Sequence, residues 1–161
     1  MPAFTRFLSF LFRVGEIAFA AVVAGIVGYY LHLWSDCDDC SKARYIYTEV
    51  IAALSLFFGI ILLIPFTSSI VAWHLDIILS LTWFAAFGLL VDALGSVPCG
   101  SPWDWSGLVN SDDCSRWKAA EAFSFLSAIF WLASAVLGIY FIWFVGGRTA
   151  QRRYWYGRYD V

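Results

Sequence analysis

Four long apolar stretches run through this chain of 161 residues and limit what it can fold into. A helix needs about 20 mostly apolar residues to cross about 30 Å of hydrocarbon, because each residue adds about 1.5 Å. The four stretches reach that length, and the predicted spans are about 14–34, 45–64, 71–94 and 118–145. The sequence therefore predicts an all-α fold: a four-helix transmembrane bundle, in one domain that covers residues 1–161.

The composition excludes a water-soluble domain. Hydrophobic residues make up 61% of the chain and charged residues 14%, whereas about a quarter of the residues in soluble domains are charged. The first stretch follows Arg6 and Arg13, as the core of a secretory signal would. It is too long for such a core and ends in Tyr29, Tyr30 and Trp34 instead of a small-residue cleavage site. We expect it to stay in place as a membrane anchor.

Basic residues and cysteines predict that both ends of the chain lie in the cytoplasm. Short flanks rich in Lys and Arg tend to stay on the cytoplasmic side. The side that holds both termini has the larger number of them: Arg6, Arg13, Arg148, Arg152, Arg153 and Arg158. The four cysteines lie in the two loops of the other side. Disulfides persist on the oxidising side of a membrane, so the two signals agree.

The four cysteines, Cys37, Cys40, Cys99 and Cys114, allow three pairings, and the spacing alone does not select one. We favour a bond from Cys99 to Cys114, which closes the second loop, together with a bond from Cys37 to Cys40. Closing a loop of that size stabilises a fold by about 3 kcal/mol in the chain-entropy model. Bonds that bridge the two loops remain an alternative.

The segment before the first span predicts a short N-terminal helix that lies in the inner membrane interface. Its large apolar residues recur at helical spacing and leave Arg6, Ser9 and Arg13 on the other face: Phe4, Phe7, Leu8, Leu11 and Phe12. The alternative is that this segment extends the first span inward.

The tail, residues 146–161, is predicted to contact the inner leaflet. Its arginines alternate with aromatic residues, a composition that suits an anionic membrane surface at about 1 kcal/mol per basic residue: Arg148, Arg152, Arg153 and Arg158. The same composition could bind nucleic acid, but beside a membrane we expect no nucleic-acid partner.

Small residues four positions apart form stripes in three spans, and such stripes let helix backbones approach closely in lipid. The first span contains Ala20, Ala24 and Gly28, and the second contains Ser55 and Gly59. The fourth contains Ala120, Ser124 and Ala128, with Gly138 further along. We interpret them as packing positions inside the bundle, with contacts between copies as the alternative. Phe and Trp dominate the other faces and are predicted to face lipid.

Five acidic residues fall inside the spans or near their ends: Glu16, Glu49, Asp76, Asp92 and Glu121. Acids in a membrane are candidates for function because their burial is costly. Glu16 and Asp76 lie near the inner surface and the other three near the outer surface, so none is at the midplane. Glu16 can pair with Arg13, three residues earlier on the same helix. We interpret the five as paired interfacial carboxylates; a proton or cation route, helix packing and recognition of lipid head groups are the alternatives.

Enzyme chemistry finds little support in the sequence. Cys37 and Cys40 form a C-x-x-C, but the two aspartates between them oppose the thiolate that a thiol oxidoreductase needs. A zinc site would need a second C-x-x-C, which the spacing of Cys99 and Cys114 does not provide. Ser-nucleophile, phosphate-loop and H-E-x-x-H motifs are absent. No catalytic residue, metal or cofactor is predicted.

Two stretches carry a resemblance to a known family. One is Trp73-His74-Leu75-Asp76 with Trp83-Phe84-Ala85-Ala86-Phe87-Gly88 in the third span, and the other runs from Cys114 to Phe123 into the fourth. With its short first loop and longer, cysteine-bearing second loop, the chain resembles the MARVEL-domain proteins, above all small fungal members of the plasma membrane. Cys99 and Cys114 match the disulfide-bearing loop of that family, whereas Cys37 and Cys40 are less typical.

The resemblance implies a non-enzymatic scaffold that organises domains of the plasma membrane. Such a protein would act through lipids, namely anionic lipids of the inner leaflet with sterol or sphingolipid as further candidates. It would also associate with its own copies or with another membrane protein. An accessory subunit of a larger complex, a small proton or ion transporter and, last, a thiol oxidoreductase are the alternative functions.

Overall fold

A computed structural model describes residues 3–35, 42–63, 69–95, 113–140 and 142–143, with the backbone alone for 3–6, 69–72 and 94–95. These residues form four α-helices: α1 (Ala3–Leu33), α2 (Ala43–Leu63), α3 (Ser69–Gly95) and α4 (Asp113–Tyr140). All four contain a segment long and apolar enough to cross a membrane. The predicted all-α fold with four membrane-spanning helices is confirmed.

The ends of the helices follow the local sequence. α2 ends at Leu63, shortly before Pro65, which lacks an N–H and disfavours helix in the residue before it. α4 begins at Asp113 and not near Lys118, because an acidic side chain in the first turn interacts favourably with the positive end of the helix dipole. The structure describes its α-helix up to Tyr140; the predicted end at 145 lies outside the described residues.

The short interfacial helix predicted before the first span is not a separate element. α1 is one unbroken helix of 31 residues that starts at Ala3, and neither Pro nor Gly interrupts it before Gly15. Its length is about 46 Å, against about 30 Å of hydrocarbon, so part of the helix extends beyond the membrane core. The alternative, in which this segment extends the first span, describes it correctly.

The four helices form an antiparallel ring. Each helix packs on its neighbours in sequence, and α4 closes the ring by packing on α1. Ile17, in the first half of α1, meets Gly59 near the end of α2. Ser80 in α3 donates a hydrogen bond of 2.9 Å to the carbonyl oxygen of Ala128 in α4. We call the end of the bundle where α1 begins and α4 ends the terminal end, and the other the opposite end.

Two indole rings fill the centre of the bundle. Trp83 of α3 and Trp131 of α4 are fully buried, and Trp83 donates a hydrogen bond of 2.8 Å from Nε1 to Oγ of Ser55. The rings pack among alanine and branched aliphatic side chains from all four helices: Ala20, Val23, Val27, Ile51, Ala52, Leu79, Ala86 and Ala128. The prediction that Trp faces lipid is wrong for these two, because small neighbours make room for a large ring inside the bundle.

Large apolar side chains are exposed on the outside of all four helices. They include Leu11 and Val22 on α1, Val50, Phe57 and Ile60 on α2, Ile78 and Leu81 on α3, and Leu132 and Val136 on α4. A protein in water rarely exposes so continuous an apolar surface. In a membrane the same surface faces lipid tails, which is consistent with the length of the helices.

Candidate functional site

A buried ionic network joins three helices at the terminal end. Arg13 of α1 donates from Nη1 to Oε2 of Glu16 on the same helix and from Nη2 to Oδ2 of Asp76 on α3, at 2.7 Å each. The pair of Arg13 and Glu16, three residues apart, is confirmed. Asp76 is a partner that the helical spacing does not predict, because it lies on another helix.

α4 completes this network. Ser134 donates a hydrogen bond of 2.5 Å from Oγ to Oε1 of Glu16. The guanidinium carbon of Arg13 lies 5.2 Å from the ring centroid of Trp131, within the range of a cation–π interaction. We call these five residues, Arg13, Glu16, Asp76, Trp131 and Ser134, the Arg13 network. It joins the helices through buried charges, whereas the centre of the bundle uses apolar packing and hydrogen bonds between uncharged groups.

The charged members of the Arg13 network lie inside the bundle. Glu16 is 0% exposed, Asp76 2% and Arg13 9%. Glu16 and Asp76 are paired, as predicted, and both turn towards Arg13 inside the bundle; their depth in the membrane stays a prediction. Attraction between buried charges is screened far less than between exposed ones, so these ion pairs can hold helices together in lipid.

The Arg13 network has one surplus negative charge and two unused polar atoms. One guanidinium faces two carboxylates. Asp76 Oδ1, an acceptor, and Trp131 Nε1, a donor, are buried without a hydrogen-bond partner. Within the described ranges, no group of three His, Cys, Asp or Glu side chains is placed to hold a metal ion. The two unpartnered atoms allow this arrangement to bind a proton or a small polar molecule.

Aromatic rings cover the seam between α1 and α4 beside the network. Gly15 lets Phe130 lie directly against α1, because a Cβ at Gly15 would be 2.5 Å from Cε1 of that ring. Phe130 also packs edge-on against Phe12 and Phe19, at centroid distances of 5.3 and 4.9 Å. These rings add apolar material between lipid and the neighbouring charges.

The opposite end of the bundle is joined by stacked aromatic rings. Trp117 of α4 stacks on Tyr30 of α1 with 4.4 Å between centroids and contacts Trp34 and Tyr45 at 5.9 and 5.0 Å. The Tyr30 hydroxyl donates a hydrogen bond of 2.8 Å to Oδ1 of Asp113. We call Tyr30, Trp34, Tyr45 and Trp117 the aromatic cluster; it connects α1, α2 and α4.

The three predicted acids of the opposite end lie in different surroundings. Asp92 pairs with Arg44 at 2.8 Å on the surface, where both side chains are more than a third exposed. Glu49 is half-buried, and its Oε1 lies 3.5 Å from where a Cβ at Gly28 would be. Glu121 is buried one turn after Lys118. The structure thus brings two of the five predicted acids, Glu16 and Asp76, into one site and leaves the others apart.

The nine predicted packing residues are all at least partly buried against other helices of the same chain. Ala20, Ser55, Gly59, Ala120, Ser124 and Ala128 are buried, and Ala24, Gly28 and Gly138 are half-buried. A Cβ at Gly138 would lie 3.1 Å from Cβ of Trp73. Six of these nine residues are thus enclosed by the bundle, whereas Ala24, Gly28 and Gly138 keep part of their surface exposed.

Two groups of predicted site residues fall wholly or largely outside the described residues. They are the cysteines Cys37, Cys40 and Cys99 and the arginines Arg148, Arg152, Arg153 and Arg158. Cys114 lies in the first turn of α4 and is not a free cysteine. The disulfide pairing and the lipid contacts of the tail stay predictions.

A sequence signal for the partner of Arg13 exists on α3. Asp76, Ser80 and Trp83 recur at i, i+4 and i+7, which places three residues with polar atoms on one face of an otherwise apolar helix. All three are buried. In a membrane helix such a face points towards other helices, so the spacing indicates that Asp76 lies inside the bundle.

Comparison with protein families gives one match, and it covers most of the chain. Residues 4–137 match the family described as MARVEL, membrane-associating domain. The matched range includes most of α1, all of α2 and α3, and α4 up to Leu137. A comparison with curated proteins finds no match.

Proposed function

The chain belongs to the MARVEL family of membrane-associating domains, and from this premise we propose that it is a non-enzymatic scaffold of the plasma membrane. In this proposal it is an integral membrane protein with both termini in the cytoplasm, and it organises a membrane domain through contacts with lipids and with its own copies. The observation that carries the proposal is the division of the bundle. Polar groups lie mostly inside, whereas the outside is apolar and includes a stripe of small residues on α1.

That stripe is the first surface to test for self-association. Ala18, Ala21 and Gly25 are exposed on α1, and a Cβ at Gly25 would meet nothing within 4 Å. We call these three residues the α1 outer face. Ala21 and Gly25 stand four apart, a spacing that lets two helices approach closely in lipid. The predicted stripe of Ala20, Ala24 and Gly28 lies on the other side of the same helix, towards the bundle.

The self-association experiment compares two lipid-facing glycines. Energy transfer is measured between differently labelled copies of the whole chain in vesicles, as a function of protein-to-lipid ratio. Gly25→Leu should lower the transfer to the level of random proximity, because the larger side chain keeps two α1 helices apart. Gly88→Leu is the matched control, since Gly88 on α3 also has open space around it. The proposal fails if wild-type copies show only random proximity, or if Gly25→Leu leaves the transfer unchanged.

The lipid contacts are proposed to come from the basic tail. Arg148, Arg152, Arg153 and Arg158 would bind anionic lipids of the inner leaflet, at about 1 kcal/mol for each residue near the surface. Replacement of all four by Gln should reduce the anionic lipids that copurify in native-lipid particles, as measured by mass spectrometry. Lys42→Gln, at the opposite end of the bundle, is the control and should leave the lipid content unchanged.

The cysteine loops are proposed to lie on the exoplasmic side, with bonds from Cys99 to Cys114 and from Cys37 to Cys40. Peptide mapping without reduction should recover these two pairs. Peptides that join the two loops would replace this proposal with the bridged alternative. An accessory role would appear as a single larger protein that copurifies in place of further copies of the chain.

A further inference from the structure

The charges of the Arg13 network do not cancel. Arg13 faces Glu16 and Asp76 at 2.7 Å each, so a fully ionised network carries a net charge of one negative unit. All three residues are at most 9% exposed. An uncompensated charge is costly in such surroundings, and buried groups commonly neutralise instead of staying ionised.

The surplus can be assigned to one oxygen atom. Both carboxylate oxygens of Glu16 accept hydrogen bonds, Oε2 from Arg13 and Oε1 from Ser134. Oδ2 of Asp76 accepts from Arg13, but its Oδ1 is buried without a partner. The orphaned acceptor therefore belongs to Asp76, on the helix that reaches the network through a single ion pair.

The surroundings of Asp76 contain a second unused group. Trp131 Nε1 is a buried donor without a partner, and its ring lies beside the guanidinium that pairs with Asp76. This N–H can stabilise an oxygen ligand such as water, but it cannot neutralise a carboxylate by giving up its own proton.

None of the other charged or titratable side chains that the structure describes donates a hydrogen bond to this oxygen. Two of them, His74 on α3 and Tyr140 on α4, belong to the terminal end but are exposed. Those of the opposite end include Tyr29, Tyr30 and His32 on α1, Arg44, Tyr45, Tyr47 and Glu49 on α2, Asp92 on α3, and Asp113, Arg116, Lys118 and Glu121 on α4. The surplus charge of the network is therefore balanced by a proton more readily than by another side chain.

We propose that the Arg13 network is a proton-binding site in which Oδ1 of Asp76 takes up one proton. The proton comes from a hydronium ion of the aqueous phase at the terminal end; an O–H bond forms on Oδ1 and a water molecule is left behind. No electron is transferred. The network then becomes neutral. Arg13 keeps its ion pair with Glu16 through Nη1, and its contact from Nη2 to Oδ2 of Asp76 becomes a hydrogen bond from the guanidinium to a neutral carboxyl group. Arg13, the most exposed of the three, marks the side from which the proton enters.

The proposal is tested by infrared difference spectroscopy of the whole protein in lipid vesicles as the pH of the buffer is changed. A protonated carboxyl group has its own C=O band. We expect this band to appear as the buffer is acidified, to shift when aspartate is labelled with ¹³C in its carboxyl group, and to disappear in Asp76→Asn. The labelled wild-type protein identifies an aspartate without any substitution, so this part of the test does not require the variant to fold.

Two control variants separate Asp76 from the other acids. Asp92→Asn removes an exposed aspartate of the same helix and should leave the C=O band of the protonated Asp76 carboxyl group in place. Glu16→Gln should leave an aspartate band but change the buffer pH at which it appears, because Glu16 shares Arg13 with Asp76. A band that is absent at every pH, that shifts only with labelled glutamate, or that persists in Asp76→Asn would overturn the proposal. None of these outcomes depends on whether the chain associates with its own copies.

Discussion

The two ends of the bundle join their helices by different means. At the terminal end, Arg13 links α1 to α3 through ion pairs that are almost completely buried, and Trp131 and Ser134 add α4. At the opposite end, stacked rings connect α1, α2 and α4, and the ion pair of Arg44 and Asp92 lies on the surface. Charges therefore hold this bundle together where they are buried with each other, whereas aromatic packing holds it together where the neighbouring ion pair is exposed.

The largest effect should come from removing the shared cation. Arg13→Met leaves Glu16 and Asp76 buried without their counter-ion, and loss of one partner from a buried ion pair costs about 3–5 kcal/mol. The free energy of unfolding in bicelles, measured by steric trapping, should fall by that amount. Arg44→Met, the matched change at the surface, should lower it by less than about 1 kcal/mol. Equal effects of the two variants would remove the contrast between the ends.

A substitution in the aromatic cluster should lower the free energy of unfolding by a smaller amount. Trp117→Leu keeps an apolar side chain but removes ring contacts with Tyr30, Trp34 and Tyr45, which are worth about 0.5–1.5 kcal/mol each. Because these contacts overlap, we expect a total loss of about 2 kcal/mol in the free energy of unfolding. Trp143 is 77% exposed and provides the control. Trp143→Leu should change the free energy of unfolding by no more than about 0.5 kcal/mol.

Two glycines of α1, one towards each end of the bundle, differ in how much room their neighbours leave for a methyl group. Gly15→Ala would place a Cβ 2.5 Å from Phe130, whereas Gly28→Ala would place one 3.5 Å from Oε1 of Glu49, an ordinary contact. Alanine favours a helix by about 1 kcal/mol over glycine, and overpacking costs about 1–3 kcal/mol. Gly15→Ala should therefore lower the thermal unfolding temperature and Gly28→Ala should leave it unchanged or raise it. The reverse order would show that Phe130 can move aside freely.

The smallest effect should be the coupling within the surface ion pair. A double-mutant cycle of Arg44→Met and Asp92→Asn isolates the interaction between the two side chains. We expect a coupling free energy below about 1 kcal/mol, which decreases further at high salt because both groups are exposed. A coupling free energy of several kcal/mol that does not depend on salt would mean that this pair is as shielded from water as the Arg13 network.

The sequence predicts the helices well and the inside of the bundle only in part. Length and hydropathy locate four spans, because a membrane requires about 20 apolar residues in each. The pair of Arg13 and Glu16 is predictable since both residues lie on one helix. The contact of Arg13 with Asp76 depends on how α1 and α3 pack, which no local spacing determines.

The burial of Trp83 and Trp131 escapes prediction for a related reason. A membrane interior and a bundle interior are both apolar, so hydropathy alone does not distinguish them for a large ring. Small neighbours such as Ala52 and Ala86, on other turns and other helices, decide that the rings fit inside. The polar spacing of Asp76, Ser80 and Trp83 is the one local signal that points inward.

The most direct test of the proposed scaffold is the mass of the protein extracted in native-lipid particles, with whatever it retains. We predict a discrete assembly of more than one copy that carries anionic lipids, and a single copy when Gly25 is replaced by Leu. A wild-type protein that is a lone monomer with no lipid preference would contradict the account, and so would a complex with one large partner and no second copy.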